Sequence, residues 1–217
     1  MDNADREWLE RRALNVIGHE LRTPASTVRG LAEVLAAGVD PEERPELLEA
    51  LVRNARRLEA LVDDLLTATS VTTALPVGSA ELVKLSDQIP AGWSEDGGLE
   101  LSGTGTVLAR PASVDRIVAA VLDNARVYGL RPVTVTVGQD GDRVRTVFES
   151  PGPELPPEDV RLALLAFWRG ERAVTTAPGL GLGLTVASVL ASHEGGRLWV
   201  EARAGGGLLT YLELPAA

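Results

Sequence analysis

Gly18-His19-Glu20-Leu21-Arg22-Thr23-Pro24 lies inside a long amphipathic pattern, and how this stretch is read decides what the rest of the chain must be. Between Asp5 and Ala37 the apolar residues Leu14, Ile17, Leu21, Val28, Leu31 and Leu35 recur at helical steps, so one stripe of a helix is apolar. His19 is one of only two histidines in the chain. Glu20 is adjacent, so its carboxylate can accept a hydrogen bond from one ring nitrogen and leave the other as nucleophile. Thr23 is at i+4, one turn along the same face, where a hydroxyl can position a water. Taken alone, a helix histidine is more often a solvated or capping residue. The chemical reading therefore needs a donor for the reacting group elsewhere in the chain.

Outward from this box, Pro24 removes one backbone hydrogen bond and predicts a kink. Gly38-Val39-Asp40-Pro41 reads as a stop and turn. A second helix follows from Glu43 to Thr69, with Leu47, Leu51, Ala55, Leu58, Leu61, Val62 and Leu65 on one face. Two such helices make a hairpin that cannot bury both stripes by itself. A homodimeric four-helix bundle completes it most simply, the alternative being packing on the C-terminal half.

The chain has 217 residues, enough for one large or two modest domains with a real core. A net charge of −10 argues against nucleic acid or an anionic membrane as the main partner, though not against a local nucleotide pocket. There is no cysteine, hence no disulfide or thiolate metal site. No apolar run approaches the roughly 18–20 residues that span a bilayer, and the charged N-terminus lacks a signal-peptide core. The expected location is the cytoplasm, whether as a free protein or as the cytoplasmic part of a membrane-anchored parent.

The expected organisation is a helical hairpin over 1–72, a linker over 73–80 and a mixed domain over 81–217. In the last, Leu99–Leu101 and Thr106–Leu108 read as strand pieces around a Gly103-Thr104-Gly105 turn. Ala112–Tyr128 is helical, and Val133–Val137 and Val144–Phe148 flank Asp140-Gly141 as a hairpin. A short helix over Pro156–Ala166, another over Leu182–Ser192, and a closing hairpin around Gly205-Gly206-Gly207 complete an α+β sandwich.

Two further constellations carry chemistry. Asn124 lies late in its helix and can offer an amide oxygen to a hard cation such as Mg²⁺. Gly179-Leu180-Gly181-Leu182-Gly183-Leu184 opens a helix, where glycines admit an anion to backbone amides. The spacing is neither a dinucleotide fingerprint nor a P-loop.

Together and in this order the blocks resemble a sensor histidine kinase of two-component signalling. His19 and its neighbours resemble that family's phosphoacceptor box, and Leu122-Asp123-Asn124-Ala125 its N box. Phe167-Trp168-Arg169-Gly170 is similar to the F box and Gly179–Leu184 to the second glycine box. The resemblance implies a dimeric phosphotransfer hairpin and a Bergerat-type ATP-binding domain, the fold shared with gyrase and the Hsp90 chaperones. It implies that His19 takes the γ-phosphoryl group of ATP and passes it to an aspartate of a response-regulator receiver domain. Glu20 would serve as general base, and Thr23 would orient water for dephosphorylating the regulator. Asn124 would bind Mg²⁺, Gly179, Gly181 and Gly183 would line the phosphates, Arg169 would reach the γ-phosphate, and Tyr128 would flank the nucleotide.

The chain departs from the pattern at the first glycine box, expected as Asp-x-Gly-x-Gly. Here the stretch is Ser150-Pro151-Gly152-Pro153-Glu154, so Ser150 stands for the aspartate that receives the adenine amino group. Exchanging a carboxylate for a neutral hydroxyl costs about 1–2 kcal/mol, roughly tenfold in affinity. Glu149 is next door, but strand alternation points it to the opposite face. Ala120 and Val127 also stand where many members carry polar residues. An alternative reading is therefore a degenerate, weakly ATP-binding member acting mainly as phosphatase or signalling module.

Overall fold

The computed structural model describes the backbone of residues 3–68, 78–89, 98–169 and 180–217, with side chains from residue 17 onward. Two compact units divide the chain near Leu66. The first holds helices α1 (Asn3–Ala37) and most of α2 (Arg44–Ala68). α1 runs as one helix through Pro24, which is buried. It ends at Gly38, whose φ of +93° suits only glycine comfortably. Asp40 then starts α2: its carboxylate accepts the Glu42 N–H at 3.2 Å, and its carbonyl accepts those of Glu43 and Arg44. Residues 73–77 of the expected linker lie outside the described residues.

The second unit is a two-layer sandwich. Its elements are β1 (Glu81–Lys84), β2 (Leu99–Gly103), β3 (Thr106–Ala109), α3 (Pro111–Tyr128), β4 (Val133–Asp140) and β5 (Arg143–Pro151), continued by α4 (Pro157–Leu162), α5 (Gly183–His193), β6 (Arg197–Ala202) and β7 (Gly207–Pro215). A five-stranded sheet runs in the order β2-β4-β5-β7-β6, and β1 pairs with β3 in a separate ribbon. All contacts in the large sheet are antiparallel except β2 with β4. The strand pieces expected around Gly103-Thr104-Gly105 are present, but they do not pair with each other: β2 joins the large sheet and β3 the ribbon. The glycine is needed there, because a Cβ on Gly103 would collide with the Val137 carbonyl.

β4 and β5 meet through Gly141-Asp142, with Gly141 at φ +61°, the first-position glycine of a type II′ turn. Val144, Thr146, Phe148 and Ser150 alternate along β5 as its buried row. They face the layer of α3 and α5, whose Ile117, Val121, Leu122, Ala187 and Leu190 are each 2% exposed or less. Burying one such side chain contributes about 1.5–3 kcal/mol, so aliphatic residues make this core with little aromatic help.

Candidate functional site

On α1 the His19 side chain is 80% exposed, and its Nδ1 lies 3.9 Å from Glu20 Oε1. Glu20 is only 15% exposed because its other oxygen reaches toward Arg57 of α2, 3.6 Å away. The carboxylate is thus oriented from the far helix, and a closure of about 1 Å brings it to hydrogen-bond distance of the ring. The Thr23 hydroxyl donates to the His19 carbonyl at 3.0 Å, and Thr27 repeats the bond onto Thr23. Its proton is engaged, so what Thr23 offers outward is an acceptor lone pair. Arg57 was not singled out from sequence. Only a partner on the second helix reveals it, though its place on the polar side of a strongly periodic helix was legible.

In the second unit α3 is the organiser. Its residues Ala120, Asn124 and Tyr128 follow one another at i+4, on one side of the helix. At one end of this row, a Cβ on Gly183 would stand 3.9 Å from the Ala120 carbonyl, which places the start of α5 against it. At the other end, Gly152 lies against the Tyr128 carbonyl, and a Cβ on it would sit 3.5 Å away. Gly129 touches Ser150: a Cβ there would collide with the Ser150 hydroxyl and the Ala125 carbonyl. Leu130 N–H closes the corner on the Pro151 carbonyl at 2.6 Å. Asn124 therefore lies midway along a row whose ends reach Gly183 and the Ser150–Gly152 segment.

Gly181 has φ +70°, and a Cβ on it would fall 2.7 Å from the Trp168 carbonyl and 2.9 Å from Arg169 Cγ. Its own carbonyl accepts the Phe167 N–H at 3.1 Å. Phe167 has φ +66°, which costs a bulky residue about 1–2 kcal/mol and is held by that bond. Arg169 is 9% exposed. The Phe167–Arg169 segment and Gly181, separate in sequence, are thus one structure. Gly170 and Gly179 lie outside the described residues.

Ser150 is 8% exposed at the end of β5, and its hydroxyl has no hydrogen-bond partner among the described residues. Leu208 stands directly opposite it on β7 and so shares its face. Glu149 turns the other way, as alternation requires, and its carboxylate accepts from Arg203 Nε at 2.7 Å. It does not replace the absent aspartate.

Sequence reasoning also missed Glu194. It closes α5, where a carboxylate opposes that helix's dipole, yet its side chain is 3% exposed. The reason is the N-terminus of α3, whose flanking Arg110 makes no side-chain cap. Glu194 caps it from outside, accepting Ser113 Oγ–H at 2.6 Å, the Arg110 N–H at 3.1 Å and the Arg110 guanidinium at 3.2 Å. Burial by itself would raise this carboxyl. The three hydrogen bonds outweigh it and hold the group below its ordinary value.

Among the described residues no cluster of three His, Asp or Glu could hold a metal unaided. The half-buried Asn124 amide fits instead a cation carried on phosphate oxygens, to which it would be one protein ligand.

Residues 9–73 match the His Kinase A (phospho-acceptor) domain, and residues 109–217 match the histidine kinase-, DNA gyrase B-, and HSP90-like ATPase. The signal transduction histidine-protein kinase AfsQ2 of Streptomyces coelicolor is 29% identical over 99% of this chain and 43% of its own length. The histidine-protein kinase/phosphatase MprB of Mycobacterium leprae is 30% identical over 94% of this chain and 43% of its own. The chain thus spans less than half the length of these relatives. Acinetobacter baumannii histidine kinase AdeS superposes with a TM-score of 0.64 at 20% identity, over 91% of this chain and 98% of that one. Full-length ShkA in complex with AMPPNP gives 0.63 at 26% identity, over 96% of this chain and 46% of that one.

Proposed function

The chain belongs to the sensor histidine kinases, and from that premise we propose that it is a kinase core in which ATP bound on α3 phosphorylates His19. The observation that carries this reading is the exposed imidazole whose Nδ1 faces a carboxylate oriented by Arg57. With Glu20 drawing on Nδ1, the free Nε2 attacks the γ-phosphorus, the bond to the bridging oxygen breaks, and ADP leaves. Glu20 takes up the ring proton as the phosphoramidate forms. Asn124 would hold Mg²⁺, which neutralises charge on the phosphate oxygens. Gly179, Gly181 and Gly183 would leave room for those phosphates, Arg169 would meet the γ-phosphate, and Tyr128, Ser150 and Gly152 would enclose the base. The similarity to ShkA, solved in complex with AMPPNP, supports nucleotide binding by this chain.

The phosphoryl group would then pass to an aspartate of a response-regulator receiver domain. Thr23 would position water, through its outward lone pair, for the opposing hydrolysis of the regulator's phosphate, and the similarity to the kinase/phosphatase MprB supports this. The hairpin would dimerise. Val34, Leu48, Val52 and Val62 are 40–48% exposed, and a second copy is what would cover such a stripe. The proposed boundaries are a hairpin over 1–72, a linker over 73–80 and an ATP-binding domain over 81–217, located on the cytoplasmic side. Among the described residues no helix is long and apolar enough to cross a membrane.

Labelled ATP with Mg²⁺ should mark the wild type with acid-labile, alkali-stable phosphate and leave His19→Gln unmarked. Undiminished label in His19→Gln, or acid-stable label, would overturn the assignment.

A further inference from the structure

We infer that the base end of this nucleotide site tolerates a 6-oxo purine nearly as well as adenine, and that Ser150 sets this tolerance. The inference rests on the nucleotide site proposed above.

Three observations carry it. Ser150 is buried, its hydroxyl lies against Gly129, and it has no hydrogen-bond partner among the described residues. A hydroxyl carries one donor and two acceptor lone pairs and rotates, so it accepts from an exocyclic amino group or donates to a carbonyl. An ionised carboxylate can only accept. It welcomes the amino group of adenine and opposes the oxygen of hypoxanthine. Next, the cross-strand neighbour on the same face is Leu208, and the following residue is Pro151, which has no N–H. Neither adds a group that tells the two bases apart. Last, Glu149, the adjacent carboxylate, faces the other side of the sheet and is engaged by Arg203 at 2.7 Å. No carboxylate of β5 is therefore turned toward the base. Sites built around a committed hydrogen-bonding group reject the wrong partner by about 10⁴–10⁵, whereas sites without one reach only about 10².

The test titrates the full chain with ADP and with IDP in the presence of Mg²⁺ by calorimetry. The diphosphates lack the transferable group, so the heat reports binding alone. The two dissociation constants should lie within about tenfold of each other. Ser150→Ala should weaken ADP and IDP alike and leave their ratio within about threefold of wild type, because a rotating hydroxyl serves either base; no loss of either nucleotide, or loss of one alone, would overturn the role of Ser150. Ser150→Asp should widen the ratio in favour of ADP by about tenfold or more. A wild-type preference for ADP above about 100-fold would overturn the inference, and so would an unchanged ratio in a folded Ser150→Asp variant. If that variant does not fold, wild type and Ser150→Ala decide the matter. Failure of wild type to bind either diphosphate overturns the nucleotide site itself, an outcome distinct from tight binding with strong selection.

Discussion

Glu194→Ala should destabilise the second unit by about 2–4 kcal/mol, although the residue lies outside the proposed chemistry. The magnitude follows from what the carboxylate satisfies. Ser113 is 0% exposed, and losing its 2.6 Å acceptor leaves a buried hydroxyl unpaired, at about 1–3 kcal/mol. The Arg110 N–H loses its acceptor at the start of α3, a capping loss of about 1 kcal/mol. The Arg110 guanidinium is 29% exposed and rehydrates, so it adds little. Glu194→Gln keeps an acceptor oxygen and should cost less, about 1–2 kcal/mol. Urea unfolding of the full chain, followed by tryptophan fluorescence, measures both. The cycle with Ser113→Ala isolates the pair and should show coupling of about 1 kcal/mol or more. Acid adds a second axis. The folded pKa of Glu194 is depressed, so its contribution is fully present above the unfolded value near 4.5 and is lost as pH falls through the lower folded value. The gap between wild type and Glu194→Gln should therefore shrink below that pH. An alanine cost under about 1 kcal/mol, or additive single and double mutants, would refute the capping argument.

Thr146→Val should raise stability by about 1 kcal/mol in the same denaturation assay, because Thr146 is 3% exposed and its hydroxyl has no partner among the described residues. Gly181→Ala should lower the melting temperature through its φ of +70° and the 2.7 Å approach to the Trp168 carbonyl, a cost of about 1–3 kcal/mol. Gly183→Ala meets nothing closer than 3.9 Å and should melt close to wild type; equal losses in the two would refute the distinction. Thr23→Ala removes only a hydroxyl bonded back to the His19 carbonyl. Autophosphorylation should survive it, while dephosphorylation of a phosphorylated regulator falls at least about tenfold, near the value of one lost hydrogen bond.

How legible these features were depended on the range of the interactions behind them. Helices α1, α2, α3 and α5 and the hairpins β4–β5 and β6–β7 arise from periodicity and turn chemistry within a few residues, and all were readable from the sequence. Strand β1 was not: four residues long, it exists only by pairing with β3 more than twenty positions away. The same reason sent β2 and β3 to different sheets, because nothing local distinguishes a hairpin from two strands with distant partners.

The site divides along the same line. Adjacent residues already placed a carboxylate beside His19 and a hydroxyl one turn later, and spacing along the chain marked Asn124 and the glycines. Alternation alone turned Glu149 away from Ser150. Tertiary structure decided which groups answer one another across the chain: Arg57 orienting Glu20, Gly129 against Ser150, Gly181 under the Phe167–Arg169 turn, and Glu194 capping a helix whose flanking residue, Arg110, lies 84 residues earlier. A side chain's identity and periodicity are local and can be read in one dimension. The partner of a buried charge or hydroxyl is chosen by packing, which brings together residues with no spacing in common.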